Sequence, residues 1–312
     1  MALVCALGEI KKTQILRSIR SVGDLTLSPL IMPKIAHIAN LWTLVGHPSS
    51  RREWDLEKKI AAIAEAGFDG ITTSLTPEMS ELAEKNGMLH KLGFISSSDP
   101  KKFGDMIQAQ KDAGAVQINV QLDDDFTKPT VAVKHWVKMM KLADNIGGLV
   151  MSLEVHRDTC TETPEKTYEI AKLYRKMTGK RIRMNFDFSH FAVVKHLGPA
   201  NYSERLLDHP KLVQNSEQSH CRPFNGHHCQ VAVTHNGKVT PELKSYMAFV
   251  EDLFRLWKSA PKNQEKTLFV CPELGPLWEG GAGYNITGLG PAWPDAVVLR
   301  QHLQRAWLRA KV

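Results

Sequence analysis

The sequence predicts an α/β fold in which eight strand-helix units close into a (β/α)8 TIM barrel, with a short N-terminal extension. From Lys34 onward, short apolar strands alternate with longer helical patterns, the order expected of a parallel sheet. Thr76-Pro77, Asp99-Pro100, Thr163-Pro164 and Thr240-Pro241 recur at predicted helix starts. In each, the first side chain can cap free amides and the proline suits the first helical turn. Carboxylates stand at the predicted carboxyl ends of several strands, the face on which such barrels keep their active sites. Residues 1–33 lie outside the repeat and are read as the extension; the barrel spans 34–312.

In order, the first strand is expected over Ile35 to Leu44 and the first helix over Trp54 to Ala66, with Leu56, Ile60, Ile63 and Ala64 on one face and Gly67 at its end. Strand two covers Gly70 to Leu75, strand three Gly93 to Ser96, and strand four Ala115 to Leu122. The acidic run Asp123-Asp124-Asp125 that follows strand four reads as a solvated or capping loop, because a tight metal site takes ligands from several directions. A helix from Thr130 to Ala143 leads to strand five, Gly148 to Glu154, and a helix from Pro164 to Met177 leads to strand six, Arg181 to Asp187. Strand seven is placed by position within Leu212 to Arg222, where few apolar residues follow Val213. An amphipathic helix carrying Leu243, Met247, Val250, Phe254 and Trp257 precedes strand eight, Lys266 to Glu273. After that come a Gly-rich loop and a last helix from Pro294 to Leu308.

A chain of 312 residues, 43% of them hydrophobic, can bury a large core. Lys and Arg outnumber Asp and Glu by 40 to 33, yet the basic residues come only in short pairs such as Arg51-Arg52 and Lys101-Lys102. The excess therefore reads as solubility, not as a nucleic-acid surface. Five cysteines without a CxxC pair (Cys5, Cys160, Cys221, Cys229, Cys271) predict reduced thiols in a cytoplasmic protein. No run reaches the length of a membrane span, and Lys11 and Lys12 follow the apolar opening instead of preceding it, so no export is predicted. Homo-oligomerisation is left open.

Three strand ends converge on one chemistry. Glu154, Asp187 and Glu273, joined by a histidine from strand seven, offer a hard divalent ion an oxygen-rich site with one imidazole. That set suits Mn²⁺ or Mg²⁺, and also Zn²⁺ or Co²⁺. His220, near the strand end, is the expected histidine, with His227 and His228 as the fallback. The segment from His220 to His228 is dense in polar and rigid residues and reads as an active-site loop. His156 shares the strand parity of Glu154, so it either reaches the cavity as an auxiliary base or serves as a structural hydrogen-bonding residue. Arg157 either binds a substrate phosphate or carboxylate, or pairs with Asp158 or Glu162.

With Glu154, the Asp187-Phe-Ser-His190 motif, His220 and Glu273 in this order, the chain from about Ile35 onward resembles the xylose isomerase-like barrels of the sugar phosphate isomerase/epimerase family. The resemblance implies one divalent metal held by those four residues, the two glutamates as acid and base, and His190 and Arg222 as substrate-holding groups. It implies a small sugar or keto-sugar as substrate, and proton abstraction next to its carbonyl through a metal-stabilised enediolate. Return of the proton gives an isomerase or epimerase; loss of a β-leaving group would give a lyase or dehydratase on a keto-sugar, inosose or 3-keto-glycoside. In the ketose 3-epimerases a second Glu follows the strand-five ligand by six residues, and here that position is Cys160. Endonuclease IV uses the same barrel but needs histidines after strands two and three, where this chain reads Thr72-Thr-Ser-Leu75 and Ile95-Ser-Ser-Ser98. A non-catalytic sugar-binding barrel is the remaining reading.

Overall fold

A computed structural model describes residues 32–276 and 291–312. Almost all of the predicted extension, together with Cys5 and the Gly-rich loop, lies outside the described residues. Eight parallel strands form a closed barrel: β1 (Lys34–Asn40), β2 (Gly70–Thr73), β3 (His90–Ser97), β4 (Gln117–Leu122), β5 (Val150–Glu154), β6 (Met184–Asp187), β7 (Gln218–His220) and β8 (Thr267–Cys271). Each strand pairs with its sequence neighbours, and β1 closes the ring against β8.

The helices that return the chain to the amino end are α1 (Leu56–Glu65), α2 (Pro77–Lys85), α3 (Phe103–Asp112), α4 (Pro129–Gly147), α5 (Pro164–Thr178), α6 (Phe188–Val194), α7 (Tyr202–Leu206), α8 (Pro210–Val213), α9 (Pro241–Lys258) and α10 (Ala292–Arg309). Three of the four predicted cap-proline signals open helices as expected: Thr76, Thr163 and Thr240 accept hydrogen bonds from the amides of Met79, Lys166 and Leu243. Asp99 instead holds a turn through the amide of Lys101, and α3 begins at Phe103. Asp123 meets His135 Nδ1 at 2.9 Å and Asp124 accepts from Thr127, so the triple-Asp run is a loop-bracing device. Between the sheet and the helices the outward strand residues and the inner helix faces form one continuous core, in which α9 buries Leu243, Met247, Val250, Phe254 and Trp257.

Several predicted boundaries need correction. β1 ends at Asn40 because the Asn40 side chain accepts from the amide of Trp42 and starts a tight turn over Leu41–Leu44. His190, three residues past the predicted end of strand six, sits in α6, since Asp187 Oδ1 caps the amide of Ser189 and the chain turns from strand to helix without an intervening loop. Leu212 and Val213 belong to α8, and β7 is only Gln218–His220. The apolar pattern fails at β7 because its inward side chains are Gln218 and His220, which are buried against other polar groups inside the barrel.

That interior is chemically divided. On one side Ala36, Ile38, Leu92, Phe269 and Cys271 pack together. On the other, Gln117 Nε2 donates to Ser152 Oγ at 3.0 Å and to Gln218 Oε1 at 3.2 Å, and Asn185 Nδ2 donates to Asn119 Oδ1 at 3.0 Å. Buried amides of this kind are tolerated only when paired. The ladder leads upward to the carboxyl end of the barrel.

Candidate metal centre

Glu154, Asp187, His220 and Glu273 are all buried, and one ligand atom from each lies within 4.8 Å of the others. The barrel register accounts for the meeting. Asp187 pairs with His220 across β6 and β7, His220 with Cys271 across β7 and β8, and Glu154 with Asn185 across β5 and β6. Partners in parallel strands point the same way, so these side chains share the interior. Glu273 lies two residues beyond β8, where its amide donates to Cys271 O at 2.8 Å in a tight turn that aims the carboxylate inward.

Each carboxylate has one oxygen held by the protein and one aimed at the centre. Asn119 Nδ2 donates to Glu154 Oε2 at 2.8 Å, Asn40 Nδ2 donates to Glu273 Oε1 at 2.9 Å, and the Ser189 amide holds Asp187 Oδ1 at 3.0 Å. On the inner side, His220 Nδ1 is 3.0 Å from both Glu154 Oε1 and Glu273 Oε2. Neither approach has hydrogen-bond geometry, and Glu154 Oε1 and His220 Nδ1 remain buried without a hydrogen-bond partner. Arg222, 1% exposed, completes the cluster, its Nη2 donating to Asp187 Oδ2 and, at 3.1 Å, to Glu273 Oε2.

Burial works against every charge here, and the neighbours decide the outcome. Desolvation pushes the Glu273 carboxyl up, but His220 and Arg222 outweigh it and hold the group well below the usual carboxylate range. Asp187 is likewise raised by burial and brought down, on balance, by Arg222 and His190. Burial alone would strip His220 of its proton, yet Glu273 and Glu154 raise it well above the ordinary imidazole value. Three carboxylates thus face one guanidinium, and a divalent ion would balance the two charges left over while replacing the His220 proton. Two orphaned donor atoms, oxygen-rich ligands and this charge count fit a metal of the Mn²⁺, Mg²⁺, Zn²⁺ or Co²⁺ type.

The centre adjoins a cavity of about 380 Å³ whose wall includes His156, His220, Arg222 and Glu273. His156 is therefore at the cavity, as its parity suggested; its Nδ1 lies 2.6 Å from Arg157 O, and its amide donates to Thr161 Oγ1 at 3.3 Å. His190 is buried behind the wall. Its ring packs on His156 with centroids 4.4 Å apart and its Nε2 lies 3.2 Å from Arg222 Nη2. Desolvation, only partly opposed by Asp187, holds its imidazole well below the ordinary value.

Arg157 and the two fallback histidines stand elsewhere. Arg157 Nη1 donates to Cys229 Sγ at 3.4 Å, tying the loop after β5 to the loop after β7, and is not among the described residues of the cavity wall. His227 and His228 are exposed in a turn whose amides are both held by Asn225 Oδ1, so the adjacent pair faces solvent and not the cavity. The opposite wall, Asn119 apart, carries no signal of its own in the sequence: Asn40, Trp42, Thr72, Thr73, Phe94 and Asn119 line it with amides, hydroxyls and two aromatic rings. Asn119 was legible in principle, since its strand parity with Gln117 and Gln121 puts a polar face inside the barrel.

No protein-family model and no curated protein matches the sequence. Among solved structures, a provisionally assigned xylose isomerase from Rhodospirillum rubrum ATCC 11170 aligns with a TM-score of 0.60 and 12% identity, over 87% of this chain and 99% of that one. A sugar phosphate isomerase/epimerase from Parabacteroides distasonis ATCC 8503 aligns with a TM-score of 0.51 and 12% identity, over 86% and 97% of the two chains. Endonuclease IV from Thermus thermophilus aligns with a TM-score of 0.50 and 12% identity, over 88% and 100%. The chain has the fold of the xylose isomerase-like barrels, a fold these three structures share.

Proposed function

We propose that the chain is a divalent-metal-dependent sugar isomerase or epimerase that removes and returns a proton next to the carbonyl of a sugar or keto-sugar. The observation that carries this reading is the convergence of Glu154, Asp187, His220 and Glu273, with two inner atoms unpartnered, beside a cavity lined by amides, hydroxyls and aromatic rings. The bound ion would polarise the substrate carbonyl and stabilise negative charge developing beside it.

The remaining work belongs to side chains. Glu154 and Glu273 are the proton-transfer groups, each kept in orientation by the amide on its outer oxygen, Asn119 or Asn40. His156, in the cavity wall, is the auxiliary base. Arg222 reaches the cavity and steadies charge on the substrate oxygens, while His190 acts through Arg222 and His156 by holding both in place. On the other wall Trp42 and Phe94 offer apolar faces to sugar C–H groups, and Asn40, Thr72 and Thr73 offer hydrogen bonds to hydroxyls.

Fold likeness cannot choose between the sugar enzymes and the nuclease. Local chemistry favours the former, because the wall at the ends of β2 and β3 carries Thr72, Thr73, Ser74 and Phe94 and no imidazole among the described residues. The test is metal analysis followed by a deuterium wash-in screen over ketoses, inososes and keto-glycosides. Solvent deuterium entering at a carbon next to a carbonyl, in a metal-dependent way, is the expected result. A metal-loaded protein that exchanges no candidate substrate would sink the proposal.

A further inference from the structure

At the opposite end of the barrel, where β5 begins, a second cavity of about 390 Å³ lies between α4, α5 and the segment leading into β6. Its size is that of a small-molecule pocket. Part of its wall is apolar or aromatic, from Met140, Leu149, Trp136 and Tyr174, and part is cationic, from Lys180, Arg181 and Arg183. Lys180 and Arg181 are exposed and make no ion pair among the described residues. Arg183 Nε is 3.6 Å from Glu217 Oε1, a carboxylate already taken by Lys266 Nζ at 2.6 Å.

The cluster extends to Lys262, whose Nζ donates to the wall residue Asn215 at 2.5 Å. Burial first, then the nearby Lys266, Arg181 and Arg183, hold the Lys262 ammonium below its ordinary value, against the pull of Glu217. The wall's own carboxylate, Asp144, is exposed. Trp136, 1% exposed, adds its ring to the wall. So many cations around one cavity repel one another unless an anion enters.

We propose that this cavity is a second binding site, separate from the metal centre, for a small organic anion: a phosphate or carboxylate carried on an apolar or aromatic body. The head group pairs with Lys180, Arg181 and Arg183, and the body packs on Trp136, Tyr174 and Met140.

Isothermal titration of the full-length chain with phenyl phosphate, benzoate, inorganic phosphate and benzyl alcohol tests this. At least one of the two aromatic anions is expected to bind saturably, about 10-fold or more tighter than inorganic phosphate, with no binding of benzyl alcohol; which of them binds tells phosphate from carboxylate. Arg181→Glu, at an exposed position, is expected to weaken that binding by about 10-fold or more. Lys180→Glu is the second variant should the first fail to fold, as judged by circular dichroism. Absence of saturable binding by either anion overturns the proposal, as does binding that survives unchanged in the charge-reversed variants.

Discussion

Glu273 has three neighbours with two opposite tasks: Asn40 secures one oxygen, while His220 and Arg222 crowd the other. Replacing it with Gln keeps an oxygen for the ion but removes a carboxylate able to take a proton. Solvent exchange into the substrate should therefore fall by about 10²-fold or more with metal retained; metal content and deuterium incorporation measured on one sample check this. Full exchange in that variant would pass the role to Glu154 or His156. Asn119→Leu separates positioning from ligation. It removes the donor to Glu154 Oε2 and the acceptor of Asn185, so metal affinity should drop by roughly 10- to 100-fold while Glu154 itself remains. A titration giving unchanged metal affinity would count against Asn119 as a positioning residue. The three carboxylates of the candidate centre were legible because carboxylates at strand ends are costly without a partner, and His220 by its position near the end of a strand. The positioning amides were not, because Asn40 and Asn119 acquire meaning only from the register that sets them beside Glu273 and Glu154.

At the scale of elements, the helix starts were the most readable features, since cap and proline act within one turn of their own sequence. Thr163→Ala and Thr240→Ala should each cost about 1 kcal/mol, measured by urea unfolding. Gly70 was read only as a strand start. A β-carbon there would stand 2.0 Å from His90 O, a backbone atom that cannot move without parting β2 from β3, so Gly70→Ala should destabilise by about 3 kcal/mol or more. Its measured unfolding free energy is the check, and a near-neutral result would mean that the two strands can separate locally. β7 was the least legible strand, because a barrel lined with glutamine and histidine inverts the usual rule that inward residues are apolar.

For the molecule as a whole, the proposed metal would be linked to pH through His220. Its proton is held above the ordinary imidazole value, so it stabilises the metal-free fold fully below about pH 6.5, and this contribution is lost as pH rises through the higher folded value. Asp187 and Glu273 run the other way: their contribution is present above the ordinary carboxylate range and disappears as pH falls through their depressed values. A divalent ion has to displace the His220 proton, so metal affinity should increase with pH and binding should release protons. Titrations of metal-free protein in two buffers of different ionisation enthalpy would detect the release; equal heats would contradict it. Chelation should also lower the melting temperature, because an ion bound only by the folded state stabilises it by mass action.

The candidate metal ligands come from β5 to β8 and their trailing loops, whereas the far wall of the cavity is built from β1 to β4 and the turns after β1 and β2. Under the proposed function, the reacting groups and most of the substrate-facing wall are thereby encoded in different halves of the gene. A library randomised at Thr72, Thr73, Ser74 and Phe94 would retune which molecule is accepted while every variant keeps the same reactive half, and recombining the two halves among distant barrels would exchange specificities only where Asn40 and Asn119 are retained to hold Glu273 and Glu154.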